Sequence, residues 1–152
     1  MTDLQVRIVN LEPMRCAGAL GFGPEPEGIA WDTLLKWAEP ARLLSQPHRF
    51  FGYNHPDPSP GSPNYGYEQW ITVDVSVQAE DSIKIKEFPG GRYAVTRCEG
   101  VQNIYATWQK LIVWREASHY RMGQHQWLEE LLTPPNGPWE EAQFDLYMPI
   151  TE

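Results

Sequence analysis

The sequence predicts an α+β fold in which duplicated β-α-β-β units form a curved, mainly antiparallel sheet with two main helices and a central cleft. Three observations lead there: a length of 152 residues, an internal repeat at a shift of 77 residues, and period-2 apolar segments alternating with period-3.6 ones. At about 100 to 200 residues per domain, this length fits a single domain, 1–152, made of repeats at about 4–77 and 81–152.

The repeat is read by laying residues 6–23 (VRIVNLEPMRCAGALGFG) over 83–100 (IKIKEFPGGRYAVTRCEG). Val6 falls on Ile83, Ile8 on Ile85, Leu11 on Phe88, Arg15 on Arg92, Ala17 on Ala94 and Gly23 on Gly100. With no gap, the same register carries Trp31, Leu34, Leu35 and Trp37 onto Trp108, Leu111, Ile112 and Trp114, and Phe50 onto Trp127. It ends by placing 67–71 (YEQWI) on 144–148 (FDLYM). One register holding across four element types makes chance a poor explanation.

Along the first half, a helix is expected over 28–38, stopped by Pro40. The run NHPDPSPGSPN at 54–64 has four prolines and no apolar pattern, so it reads as an exposed loop before a closing strand at 67–77. In the second half, 83–85 and 92–97 alternate as strands around the Pro89-Gly90-Gly91 turn. Val101, Ile104, Tyr105, Trp108, Leu111, Ile112 and Arg115 follow helical spacing and predict an amphipathic helix over 101–117. A strand at 125–132, a loop at 134–138 and a closing strand at 144–150 complete the chain. Two such units packed side by side, helices on one side, leave a groove along their seam.

Composition narrows the function classes. Lys and Arg number 12 against 20 Asp and Glu, a net charge of −8, which argues against nucleic acid as a direct partner because phosphate binding needs a clustered basic face. Cys16 and Cys98 stand 82 residues apart with no C-x-x-C, so neither a disulfide framework nor a metal site is expected, and a reducing, cytoplasmic setting is the simplest reading. The four histidines lack metal-ligand spacing, and no cofactor fingerprint is present; Gly21-Phe22-Gly23 is too short for a phosphate loop. No apolar run approaches a membrane span and no leader pattern opens the chain.

The aromatic content, 7 Trp, 7 Tyr and 5 Phe, asks whether these rings serve core, interface or ligand cavity. Repeat-paired Trp37 and Trp114 are expected in the core. Trp108 and Tyr105 lie nearer the start of their helix and can overhang the seam, while Tyr65, Tyr67 and Trp70 flank the proline-rich loop and can form a rim. The repeat is broken most clearly in HQWLEELL at 125–132, where Glu129 and Glu130 stand over Gly52 and Tyr53. Alternation sends one Glu to each face of the strand. Either the strand is an edge with both carboxylates solvated, or one is buried, at a cost of several kcal/mol unless paired. An aromatic surround would make such a carboxylate a cation-binding site.

These residues resemble the GyrI-like small-molecule-binding domain family, which also serves as the effector-binding domain of AraC- and MerR-type multidrug regulators. The resemblance rests on the duplication, on GGRYAV at 90–95, on the aromatic helix after Gly100, on Leu128-Glu129, and on the closing strand FDLYMPI at 144–150. It implies a stand-alone effector-binding domain with an aromatic cleft and a buried Glu that recognises lipophilic, cationic aromatic compounds. The family's Glu falls on Glu129 and its pocket tyrosines on Tyr105 and Tyr147, with Trp108, Trp127, Tyr67, Trp70 and Phe22 as further candidate walls. Many members carry an aromatic two residues after this Glu; here Leu131 stands there. The resemblance implies two alternatives: a hydrolase of cyclopropanoid-type electrophiles using Glu129 with Tyr105 or Tyr147, and a gyrase-inhibitor-like module that binds a protein partner such as DNA gyrase or a regulator.

Overall fold

The computed structural model describes residues 4–54, 63–80 and 82–152. Most of the loop expected over 54–64, His55 included, therefore lies outside the described residues. Among the described residues, nine strands and two main helices follow one another as β1 Val6–Leu11, β2 Met14–Gly23, α1 Pro26–Ala38, β3 Phe50–Asn54, β4 Tyr65–Thr72, β5 Lys84–Phe88, β6 Gly91–Glu99, α2 Ile104–Glu116, β7 Arg121–Met122, β8 Leu128–Leu131 and β9 Gln143–Thr151. The fold is α+β, and the strand pairs within each unit are antiparallel. The repeat shift carries β1, β2, α1, β3 and β4 onto β5, β6, α2, β8 and β9 to within a few residues, so each repeat is β-β-α-β-β, with one more leading strand than the minimal unit. The closing strand of the first repeat is shorter than expected and ends at Thr72.

The chain forms two compact units, one of residues 1–12 with 90–152 and one of residues 13–89. These boundaries are not those of the sequence repeats, because the leading strands are exchanged. In the first unit β1 pairs with β6, Val6 opposite Thr96 and Leu11 opposite Gly91, although β1 belongs to the first repeat. In the other, β5 from the second repeat pairs with β2, Met14 opposite Phe88 and Gly18 opposite Lys84. The first unit's sheet then runs β1-β6-β9-β8, with β7 pairing the end of β9. The second unit's runs β5-β2-β4-β3.

Helix α1 is built by a stripe at every fourth residue, Pro26, Ala30, Leu34 and Ala38, all buried. Pro26 fits the first helical turn, where its missing N–H is no loss. Gly21 of β2 permits the close approach: a Cβ there would collide with the Pro26 carbonyl oxygen and lie 2.9 Å from the Ala30 nitrogen.

Helix α2 is preceded by a 3-10 turn, Val101–Asn103, entered through Gly100 at φ 83°, so the segment expected to be helical is wound throughout but not uniformly. Only Leu111 of α2 is buried, and Tyr105 is 76% exposed, so the N-terminal part of the expected apolar stripe faces solvent. The repeat counterparts Leu34 and Leu111 are each fully buried within their own unit. Trp37 and Trp114 are only half-buried, contrary to the expectation that placed them in the core. Trp37 lines an open groove of about 620 Å³ with Lys36, Glu80 and Ile83, and Trp114 stacks on Tyr120 with ring centroids 6.0 Å apart.

Candidate functional site

Pairing registers sort the side chains by face. In the unit of 1–12 and 90–152, Leu128 stands opposite Tyr147 and Glu130 opposite Asp145, so these share one face of the sheet. Glu129, opposite Leu146, points the other way. Helix α2 lies over the Glu129 face, since Thr107 Oγ1 donates to Cys98 Sγ at 3.4 Å and Trp108 Nε1 donates to Glu129 Oε2 at 3.0 Å. The two carboxylates of β8 thus face different surroundings, as alternation requires.

Glu129 is half-buried, and the rings of Trp108 and Trp127, 5.2 Å apart at 56°, stand with it. Three of the residues singled out in the sequence, Glu129, Trp108 and Trp127, therefore come together. Tyr105, one turn before Trp108, is three-quarters exposed, and Val101 before it is 45% exposed. An apolar rim beside a half-buried carboxylate suits a ligand that is both lipophilic and cationic.

Glu130 is the buried member of the pair and accepts the Tyr147 hydroxyl at 2.6 Å. Tyr147 packs edge-on to Tyr93, 5.5 Å between centroids, and Tyr93 donates to the Gln126 carbonyl. Tyr147 is thus on the opposite face of the sheet from Glu129. On the Tyr147 face, Asp145 is neutralised by Arg7 at 2.6 Å and Arg97 at 2.7 Å.

The remaining candidates lie in the unit of 13–89. Tyr67 and Trp70 are both buried but three residues apart on β4, hence on opposite faces, Tyr67 toward α1 and Trp70 away from it. Phe22, near the end of β2, is 58% exposed. Gly52, the repeat counterpart of Glu129, explains why this unit has no second copy of that site. A Cβ on Gly52 would collide with the Tyr67 hydroxyl, so Tyr67 fills the place that a carboxylate takes in the other unit.

Sequence reasoning missed Glu68. It is buried and accepts hydrogen bonds at Oε2 from Lys86 at 2.5 Å, Trp70 Nε1 at 2.7 Å and the Tyr53 hydroxyl. Burial alone would raise the Glu68 carboxyl, but the hydrogen bonds from Lys86, Tyr53 and Trp70 outweigh it and hold it below the usual carboxylate range. The signal was present: an acid inside the aromatic strand YGYEQWIT, and a lysine at the centre of KIKEF.

Neither thiol is poised as a nucleophile, because burial pushes Cys16 up to about 12 and also raises Cys98. No helix of the described residues is long and apolar enough to cross a membrane.

A family model described as an integron-associated effector binding protein matches residues 7–150. Among solved structures, the C-terminal domain of EcmrR superposes with a TM-score of 0.76 at 13% identity, covering 98% of each chain. A hydrolase from Listeria innocua gives 0.69 at 12% identity, over 99% of this chain and 94% of that one. SAV2435 bound to tetraphenylphosphonium gives 0.59 at 8% identity, over 97% and 94%. At these identities the likeness is one of fold. No curated protein matches the sequence.

Proposed function

The chain belongs to the integron-associated effector-binding protein family, and on that premise we propose that it binds lipophilic organic cations on the α2 side of its second-repeat sheet, with Glu129 supplying the charge and Trp108 and Trp127 the aromatic walls. The observation that carries this reading is the half-buried Glu129 carboxylate beside two tryptophans, next to the exposed Tyr105. Partial burial strengthens attraction between the carboxylate and a cation, and each ring face adds about 0.5–2 kcal/mol by cation–π attraction. The tetraphenylphosphonium held by SAV2435, a protein of the same fold, is a ligand of this chemical class.

Trp108 has two duties here. Its ring forms a wall, and its indole N–H holds the Glu129 carboxylate in place. A cation reaching Oε1 or Oε2 would meet an acceptor already oriented, so little reordering opposes binding.

Hydrolysis is less well supported. It calls for a tyrosine hydroxyl acting with Glu129, whereas Tyr105 is turned largely to solvent and Tyr147 lies on the opposite face of the sheet.

Quenching of tryptophan emission by a cationic rhodamine dye tests the reading. The expected result is saturable quenching at micromolar dye, weakened at least about tenfold, or ~1.4 kcal/mol, in Glu129→Gln. Quenching unchanged by that substitution removes Glu129 from the site.

A further inference from the structure

Glu68 belongs to an arrangement that the Glu129 site does not use. It is 6% exposed on the β4 face away from α1, and its three donors come from β3, β4 and the exchanged strand β5. Lys86 Nζ lies 2.5 Å from Glu68 Oε2, donates to the Tyr53 hydroxyl oxygen at 3.2 Å, and stands 5.9 Å from the centroid of the Tyr53 ring. Trp70 meets Tyr53 edge-on at 5.2 Å and packs 5.7 Å from Phe88. A primary ammonium on a buried carboxylate, flanked by aromatic rings and a phenol, is the contact set of an amine-binding pocket.

The unit of 1–12 and 90–152 supplies an internal comparison. At the position of Glu68 it has Asp145, which is also buried but is neutralised by Arg7 and Arg97. At the position of Lys86 it has Val9, and at that of Tyr53 it has Glu130. Neutralising this carboxylate with a base from the exchanged strand is thus common to both units, through Arg7 on β1 and Lys86 on β5. Of these two carboxylates, Glu68 is the one whose partner is an ammonium set among aromatic rings.

We propose that Glu68, Tyr53 and Trp70 form a second binding site of this protein, for primary alkylammonium groups, and that Lys86 is the tethered occupant that keeps it closed. As part of the chain, Lys86 competes with free amines at a high effective concentration. Its side chain is 35% exposed, so the site is reached from solvent along the lysine stem.

The test removes the occupant and offers a substitute. Lys86→Ala truncates the stem at Cβ, and n-butylammonium chloride, the analogue of the whole four-carbon side chain, is offered in its place. The expected result is a saturable change in tryptophan emission with a rise in melting temperature, at an apparent affinity at least tenfold tighter than the wild-type chain shows. The response should vanish in Glu68→Gln/Lys86→Ala, and tetramethylammonium chloride, which has no N–H to donate, should not reproduce it. If Lys86→Ala does not fold alone, recovery of folded protein on refolding with n-butylammonium reads the same interaction. No response or recovery, an equal response in the wild type, or a response that survives Glu68→Gln overturns the proposal and leaves Lys86 as a pin for β5. Tetraphenylphosphonium binding by Lys86→Ala at wild-type affinity keeps this outcome separate from that of the Glu129 site.

Discussion

Adjacent carboxylates on one short strand receive opposite treatment because a strand alternates its side chains. Glu129 meets the Trp108 indole under α2, and Glu130 is buried beside Tyr147. Glu68 shows what complete compensation of a buried acid requires: an ammonium, an indole N–H and a phenol on one carboxyl group. Its folded-state pKa is held below the unfolded value of about 4.3. The resulting stability is therefore fully present above that value and is lost as pH falls through the still lower folded value. Glu68→Gln should cost about 1–3 kcal/mol near pH 7. Thermal melts from pH 7 to pH 3 check this, with the gap between wild type and Glu68→Gln shrinking below about pH 4. A gap independent of pH would contradict the assignment.

This residue was hard to read from sequence because Glu68-Gln69 looks like a solvated pair until β3 and β5 are known to flank β4 and β2. Glu129 was legible for a different reason. It breaks a repeat, and a repeat supplies its own expectation of what should stand there, namely Gly52.

At the level of elements, the repeat register located the strands and helices to within a few residues, yet it could not say which strands pair. Both β1 and β5 are apolar alternating strands, and their exchange between repeats leaves no mark on either pattern. The helices show a second limit. Repeat pairing predicts Trp37 and Trp114 in the core, but the rings stay half-buried while Leu34 and Leu111 enter the core. Leu111→Ala should therefore cost about 2–5 kcal/mol, whereas Val113→Ala, at an exposed position, should stay within about 0.5 kcal/mol, as urea unfolding will read.

Two glycines make a matched pair on the other helix. Gly21→Ala drives a methyl into the Pro26 carbonyl and should destabilise by about 1–3 kcal/mol. Gly28, inside α1 with nothing within 4 Å of a Cβ, should stabilise by about 0.5–1 kcal/mol when changed to Ala. The same urea titrations decide both, and equal effects of the two changes would show that β2 and α1 are not in close contact.

For the molecule as a whole, a net charge of −8 and a high aromatic count acquire separate explanations. Part of the aromatic content builds the two units: Tyr93 with Tyr147 in one, Tyr53, Trp70 and Phe88 in the other. Another part, Trp108 and Trp127, stands beside the Glu129 carboxylate. The acidic balance favours cationic ligands at long range, and in the proposed function Glu129 is where they bind.

The most direct measurement is isothermal titration calorimetry of tetraphenylphosphonium chloride into the wild-type chain and into Glu129→Gln. The account predicts saturable binding by the wild type and at least a tenfold weaker affinity in Glu129→Gln with its melting temperature preserved. Equal affinity in the two chains would contradict it.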